Sequence, residues 1–255
     1  MGEAGTSRRY SQGERVAFFM PCYADMLFPQ VGKAVVTLFE RLALPFEYPM
    51  EQTCCGQPAF NSGYWDEARA VAQHFADVFR PYEWIVVPSG SCAAMCRVFY
   101  DYLVPESDAA GVGARVCDLA TFLVENVGIT DVGARFPHRV TYHDGCHGRR
   151  ELHAGDAATT LLRAVKDLEY VELPAIEECC GFGGMFSVKF EELSTDMGAQ
   201  KCANARATGA DVLVSGDSSC LMHIGGMLAR ENAGLKSPAP HLKTMHLAEV
   251  LASTS

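Results

Sequence analysis

At 255 residues, with 49% hydrophobic and 20% charged side chains, the chain has the size and balance of a globular protein of one large domain or two small ones. A formal net charge of −10 excludes a protein that reads nucleic acid through a basic face, and no apolar run approaches the ~18 residues a membrane span requires. Eleven cysteines without an apolar export segment at the N-terminus point to a cytoplasmic protein, whose thiols serve as metal ligands or redox groups rather than as disulfides.

Residues 1–13 are polar and read as a flexible tail. Arg15 to Met20 is a short apolar strand that delivers Cys22. Val31, Val35, Leu38, Phe39 and Leu42 then recur at helical spacing, predicting a helix that Pro45 stops. After Cys54, Cys55 and Gly56, a second stripe (Trp65, Ala68, Val71, Ala72, Phe75, Val78, Phe79) predicts a helix ended by Pro81. Trp84 to Val87 is a buried strand, followed by a Ser-Gly turn and Cys92. The stretch from Pro105 to Gly113 reads as a surface loop, and Gly128 to Pro137 as a linker.

The order then repeats. Arg139 to Asp144 is a strand leading to Cys146, and Asp156 is a candidate N-cap for a helix carrying Leu161, Leu162, Val165 and Leu168. Cys179, Cys180 and Gly181 follow, then a long helical stretch from about Val188 to Thr208. Asp211 to Val214 is a second buried strand ending in a Ser-Gly turn and Cys220, and Ala233 to Pro240 reads as a loop. Between Cys22 and Cys54 lie 31 residues and between Cys55 and Cys92 lie 36; the matching gaps in the second copy are 32 and 39. Asp118-Leu119-Ala120 corresponds to His246-Leu247-Ala248, and Cys117 to Met245.

The expected architecture is therefore α/β, with two pseudo-repeated halves, 14–135 and 136–255. Each half forms a small parallel sheet flanked by helices. Right-handed crossovers place strand C-termini on one rim, so the cysteines should gather there. Four convergent thiolates per half fit zinc or an iron–sulfur cluster. Zinc sites commonly use Cys-x2–4-Cys knuckles, which adjacent Cys54-Cys55 and Cys179-Cys180 do not make, so the ligand pattern ranks a cluster above zinc.

The doubled Cys, Cys-Cys-Gly, Ser-Gly-x-Cys pattern resembles the cysteine-rich CCG domain found in heterodisulfide reductase, in the glycolate oxidase iron–sulfur subunit and in the lactate-utilisation protein A family. Cys54-Cys55-Gly56-Gln57-Pro58-Ala59-Phe60, Cys179-Cys180-Gly181-Phe182-Gly183-Gly184 and Cys220-Leu221-Met222-His223-Ile224-Gly225-Gly226 are most similar to the last of these, and the resemblance runs from about Val16 to the C-terminus. It implies 4Fe-4S clusters of non-cubane type, held by Cys22, Cys54, Cys55 and Cys92 and by Cys146, Cys179, Cys180 and Cys220, with zinc left open in one half. It further implies a role in oxidising L-lactate or another 2-hydroxy acid, beside a ferredoxin-type iron–sulfur partner subunit. The fuller family pattern closes with a fifth cysteine three residues after the fourth. Here those positions are Met95 and His223, leaving Cys96 or His223 as candidates for the fifth place.

Other groups have plainer readings. Cys117 and Cys202 read as structural thiols. His143 and His147, flanking Cys146, read as hydrogen-bonding support rather than as a His-x2-Cys-His zinc site. Arg149 and Arg150 read as solvated surface charges rather than as a carboxylate clamp. The chain carries no flavin or nicotinamide fingerprint and no ferredoxin Cys-x2-Cys-x2-Cys run, so the expectation is an oxidoreductase subunit that does not turn over lactate alone. A zinc-bearing scaffold subunit and a heterodisulfide-reductase-like thiol–disulfide reductase are the alternatives.

Overall fold

The computed structural model describes residues 8–105, 107–233 and 242–255. In the first half β1 (Val16–Phe18), β2 (Trp84–Val87) and β3 (Val116–Asp118) form a parallel sheet in the order β1-β2-β3. In the second, β4 (Arg139–His143), β5 (Glu169–Val171), β6 (Val212–Ser215) and β7 (Lys243–His246) form a parallel sheet in the order β5-β4-β6-β7. The place of β5 is taken in the first half by Glu47 alone, whose carbonyl accepts from the Phe18 N–H and whose N–H donates to the Val16 carbonyl, each at 2.8 Å. The two halves therefore match strand for strand. Cys117 opposes Val86 in the same register in which Met245 opposes Val214, as the repeat requires.

Alternation along the strands sorts residues into two environments. Val16, Phe18, Trp84, Val86 and Cys117 share one apolar cluster with Val140, Tyr142, Val212 and Val214, joined by helices Pro29–Arg41 and Leu247–Ala252. Ala17, Phe19, Ile85 and Val87 face the other way, onto helix Trp65–Phe79. Leu213 does the same in the second half, packing with Cys202, Ile224 and Leu228. The core is thus continuous between the halves, and the Gly128 to Pro137 segment is stitched into it through buried Val132, Ala134 and Phe136. Polar ties reinforce the junction. Arg41 donates to the Val132 and Leu251 carbonyls at 3.3 and 3.0 Å, and the His246 ring meets the Pro88 carbonyl at 3.2 Å.

Several local expectations are corrected. Residues 108–113 form a helix, Asp108–Gly113, rather than a loop, because the Ser107 hydroxyl caps it and Gly113 lets its turn approach the Cys96 carbonyl; a Cβ there would sit 2.1 Å from that oxygen. Helix Pro29–Arg41 stops ahead of Pro45, where Ala43 turns left-handed with φ 51°. The helix from Ala157 ends at Ala164, since Val165 is extended, and Asp156 holds the N-cap position without a side-chain cap bond. The Val188 to Thr208 stretch is two helices, Met185–Lys189 and Glu191–Ala207, broken at Phe190. Of the tail, residues 1–7 lie outside the described residues, and Tyr10 is tied by its N–H to the Asn126 carbonyl at 2.9 Å. The Ala233 to Pro240 loop falls beyond Ala233 outside the described residues. No helix among the described residues is long and apolar enough to cross a membrane.

A candidate metal centre between the halves

Cys22 and Cys146 each occupy the first position of a short helix, Cys22–Leu27 and Cys146–Arg150, just beyond β1 and β4. Cys92 and Cys220 each occupy the third position of a helix that follows β2 or β6. The adjacent pairs arrive differently. Cys54-Cys55 and Cys179-Cys180 ride on loops rather than directly on strand ends.

Each pair is held by the glycine behind it. Gly56 and Gly181 adopt φ of 83° and 88°, a region side chains rarely enter. A Cβ on Gly181 would stand 2.5 Å from the Ser194 carbonyl oxygen. The turn aims each glycine N–H back at the first sulfur of the pair: Gly56 to Cys54 Sγ and Gly181 to Cys179 Sγ, both 3.4 Å. All eight patterned cysteines line one cavity of about 340 Å³, so the two rims face a common space.

The thiols are mutually dependent. Cys22 Sγ donates to Cys54 Sγ at 3.5 Å. Donation from Cys22 and Cys55 holds the Cys54 thiol far below its usual range, and donation from Cys146 and Cys180 does the same for Cys179. The donors are driven the other way: their bonds to Cys54 and Cys179 push Cys22, Cys55, Cys146 and Cys180 up, and burial adds to it. In each rim the first sulfur of the pair is thus favoured as the thiolate over the thiols that donate to it. Full deprotonation of such a set needs a compensating cation, which is the condition a metal centre meets.

Among the remaining groups the structure separates bystanders from neighbours. Cys117 is in the shared core, where burial pushes its thiol up to about 12. Cys202 packs under helix Ser218–Ala233, with its Sγ 3.8 Å from the Ile224 carbonyl, and burial raises it to about 11. Neither lines the cavity. Cys96 lies fully buried on a π-helical turn, Met95–Phe99, in the core beneath the first rim; nearby Tyr100 donates to the Cys55 carbonyl at 3.0 Å. His223 turns toward helix Glu191–Ala207, with Nε2 beside Gly198 and its ring tilted on Phe182. Neither candidate for the fifth place lines the cavity. His147 does line it, and Arg149 and Arg150 are engaged with Asp144 at 3.1 Å and the Glu177 carbonyl at 3.3 Å.

Two buried groups lie against the second rim. Lys201 is almost wholly enclosed, its ammonium donating to the Ala175 carbonyl at 2.6 Å, with Glu178, Cys180 and Cys179 among the charges that act on it. His143, expected to make supporting hydrogen bonds, makes none: both ring nitrogens are buried without a partner. Its ligand atom and the sulfurs of Cys180 and Cys220 all lie within 4.8 Å of one another. Burial pushes its imidazole down to about 3, so it stays neutral. The sequence signal that could have exposed it is the repeat itself, which sets His143 opposite an aromatic core residue, Phe19.

The halves are locked together beside the cavity by Asp217. Its buried carboxylate accepts from the Ser91 N–H at 2.8 Å and the Ser91 hydroxyl at 3.1 Å, both from the first half, and from the Ser219 hydroxyl at 3.0 Å in its own.

A duplicated α/β fold with two thiol rims facing one cavity defines a cysteine-rich-domain protein. The family model described as "Cysteine-rich domain" (CCG) matches residues 16–97 and 140–225. Curated relatives match along nearly the whole chain. Lactate utilization protein A of Exiguobacterium sp. is 43% identical over 242 residues, 92% of this chain and 96% of its own length. The proteins of that name from Geobacillus kaustophilus and Oceanobacillus iheyensis are 42% and 40% identical, over 93% of this chain and 98% and 96% of theirs. The chain belongs to the lactate utilization protein A family of cysteine-rich-domain proteins. Among solved structures, a putative Asp/Glu racemase from Yersinia pestis aligns over 94% of this chain and 96% of its own at a TM-score of 0.37 and 10% identity, too weak a likeness to bear on the site.

Proposed function

We propose that this protein is the iron–sulfur-binding subunit of a cytoplasmic L-lactate oxidation system, passing electrons to or from a ferredoxin-type iron–sulfur partner subunit. The observation that carries the proposal is the convergence of all eight patterned thiols on one cavity. The substrate reading is supported by the relatives' name, lactate utilization.

The residues fit such a group. An iron–sulfur cluster held here supplies one-electron redox capacity. Cys55, Cys92, Cys180 and Cys220 are buried and keep water from the inner side of each rim, while Cys22, Cys54, Cys146 and Cys179 are partly open to the cavity. The Gly56 and Gly181 N–H groups, bonded to sulfur, stabilise negative charge there, and buried Lys201 adds a cationic partner beneath the second rim. Around the mouth, Tyr23, Met185 and Val188 line the cavity while remaining exposed, giving a partner protein an apolar edge on which to dock.

Anaerobic purification followed by metal and sulfide analysis tests the proposal. Iron with acid-labile sulfide is expected, without lactate turnover by the isolated chain. Zinc without sulfide would decide for a non-redox scaffold, and robust lactate oxidation by the chain alone would overturn the subunit role. One observation favours zinc at the second rim only: the close ligand atoms of His143, Cys180 and Cys220 suit a single tetrahedral ion, in which case iron and zinc would be found together.

A further inference from the structure

The two rims descend from one repeat but are not chemically alike. β1 and β4 run in equivalent register, Phe18 opposing Val86 and Tyr142 opposing Val214, so the residues that follow, Phe19 and His143, are counterparts. Phe19 does what its position asks: it is fully buried and meets Phe75 and Phe79 edge to face, with centroids 5.2 and 5.4 Å away. His143 is equally buried, yet its two polar ring atoms have no hydrogen-bond partner. Packing alone does not call for an imidazole there, since a phenyl ring serves in the other half, and an orphaned buried polar group persists in native proteins where something else occupies it.

What faces the ring is a pair of sulfurs. The His143 ligand atom, Cys180 Sγ and Cys220 Sγ lie mutually within 4.8 Å, all three residues buried. An imidazole nitrogen beside two cysteine sulfurs is a donor set that zinc and iron both accept. The nearby alternative, His223, also has a buried Nε2 without a partner, but that atom stands beside Gly198 and is not grouped with the cysteine sulfurs. The first rim has no counterpart, because Phe19 offers no donor.

We propose that His143 is a nitrogen ligand of the metal centre at the second rim, acting with Cys180 and Cys220, so that a mixed thiolate–imidazole centre faces a first-rim centre without this ligand. The inference rests on the reading that the second rim holds metal. With a cluster bound, a neutral nitrogen added to the four thiolates would leave the second centre less negative than a fifth thiolate in that place would.

The full chain labelled with 15N-histidine and purified anaerobically tests the assignment. Metal analysis is run first. Pulsed EPR of a paramagnetic iron centre, or X-ray absorption at the zinc edge if zinc is found, then reads directly bound nitrogen. A Cys54→Ser/Cys55→Ser double variant, which leaves the second-rim thiols intact, confines the signal to that rim. Strong 15N coupling, or a zinc–nitrogen shell at about 2.0–2.1 Å, is expected in the wild-type chain. It should vanish in His143→Phe, which installs the first half's own residue, and survive in His147→Phe. Metal at the second rim without bound nitrogen in the wild-type chain overturns the assignment while leaving the metal reading standing. A wild-type chain free of metal overturns both. The wild-type measurement stands even if a variant folds poorly.

Discussion

Acid should loosen the junction between the halves through one histidine. His246 is the N-cap of helix Leu247–Ala252, and its Nδ1 accepts from the Ala248 N–H at 3.1 Å, so the proton sits on Nε2, which faces the Pro88 carbonyl of the first half at 3.2 Å. Burial pushes this imidazole down to about 4, against the histidine value near 6.5 in an unfolded chain. Between those values the unfolded chain binds a proton that the folded chain refuses. The stabilisation from neutral His246 is therefore complete above pH 6.5, declines as pH falls toward 4, and declines no further below that. Integrating between pH 8 and pH 5 gives a loss of about 2 kcal/mol. His246→Asn keeps a side-chain oxygen for the cap but cannot titrate. In urea unfolding the variant should be weaker at pH 8 by about 1 kcal/mol for the lost bond to Pro88. Between pH 8 and pH 5 it should then lose about 2 kcal/mol less than the wild type. His143 shifts in the same sense in both chains and cancels from the comparison. Equal acid loss in the two proteins would refute the reasoning.

Three further outcomes follow from the same contacts. Asp217→Ala removes a buried acceptor of three hydroxyls and one N–H and should cost about 3 kcal/mol in thermal unfolding, with Asp217→Asn costing less; an unchanged melting temperature would show that the halves do not depend on it. Gly181→Ala forces a side chain into a left-handed turn and against the Ser194 carbonyl, so it should cost about 1–3 kcal/mol and lower the metal content measured after anaerobic purification. Cys180→Ala should abolish much of the visible metal–thiolate absorbance while Cys117→Ala leaves it intact, and equal loss from both would undo the division between rim and core thiols.

The parts of this architecture legible in the sequence are those fixed by period and spacing. Short apolar runs mark β1, β2, β4 and β6, and the repeated gaps between cysteines align the halves closely enough to pair Cys117 with Met245, as the strand registers do. Local cooperation between residues distant in sequence is not legible. Helix Asp108–Gly113, written in small residues, exists because Gly113 can press against the turn that carries Cys96. Hydrophobic alternation identifies which residues point inward, but not that the two inward faces merge into one core and bring both thiol rims to one cavity. His143 is visible in the sequence as a polar residue beside a cysteine. Its significance lies in being buried without a partner where its counterpart is phenylalanine, and burial is a property of the fold.

Beside the shared cavity the two halves are also tied through the loops that present their last cysteines. Asp217 occupies the position in its half that Ser89 occupies in the other: each lies three residues before its rim's last cysteine, Cys220 or Cys92. Ser89 caps its own helix by accepting from the Cys92 N–H at 3.2 Å. Asp217 instead reaches across the junction to the Ser91 N–H of the first half, the residue before Cys92. A carboxylate at that place holds the loop that presents Cys92 while belonging to the loop that presents Cys220. Gly90 and Gly148 meet at the same junction, where a Cβ on Gly90 would stand 3.2 Å from the Gly148 Cα, so the two backbones are as close as they can be. The last cysteine of each rim is therefore positioned by a common anchor. A displacement of one rim is transmitted to the other through this anchor.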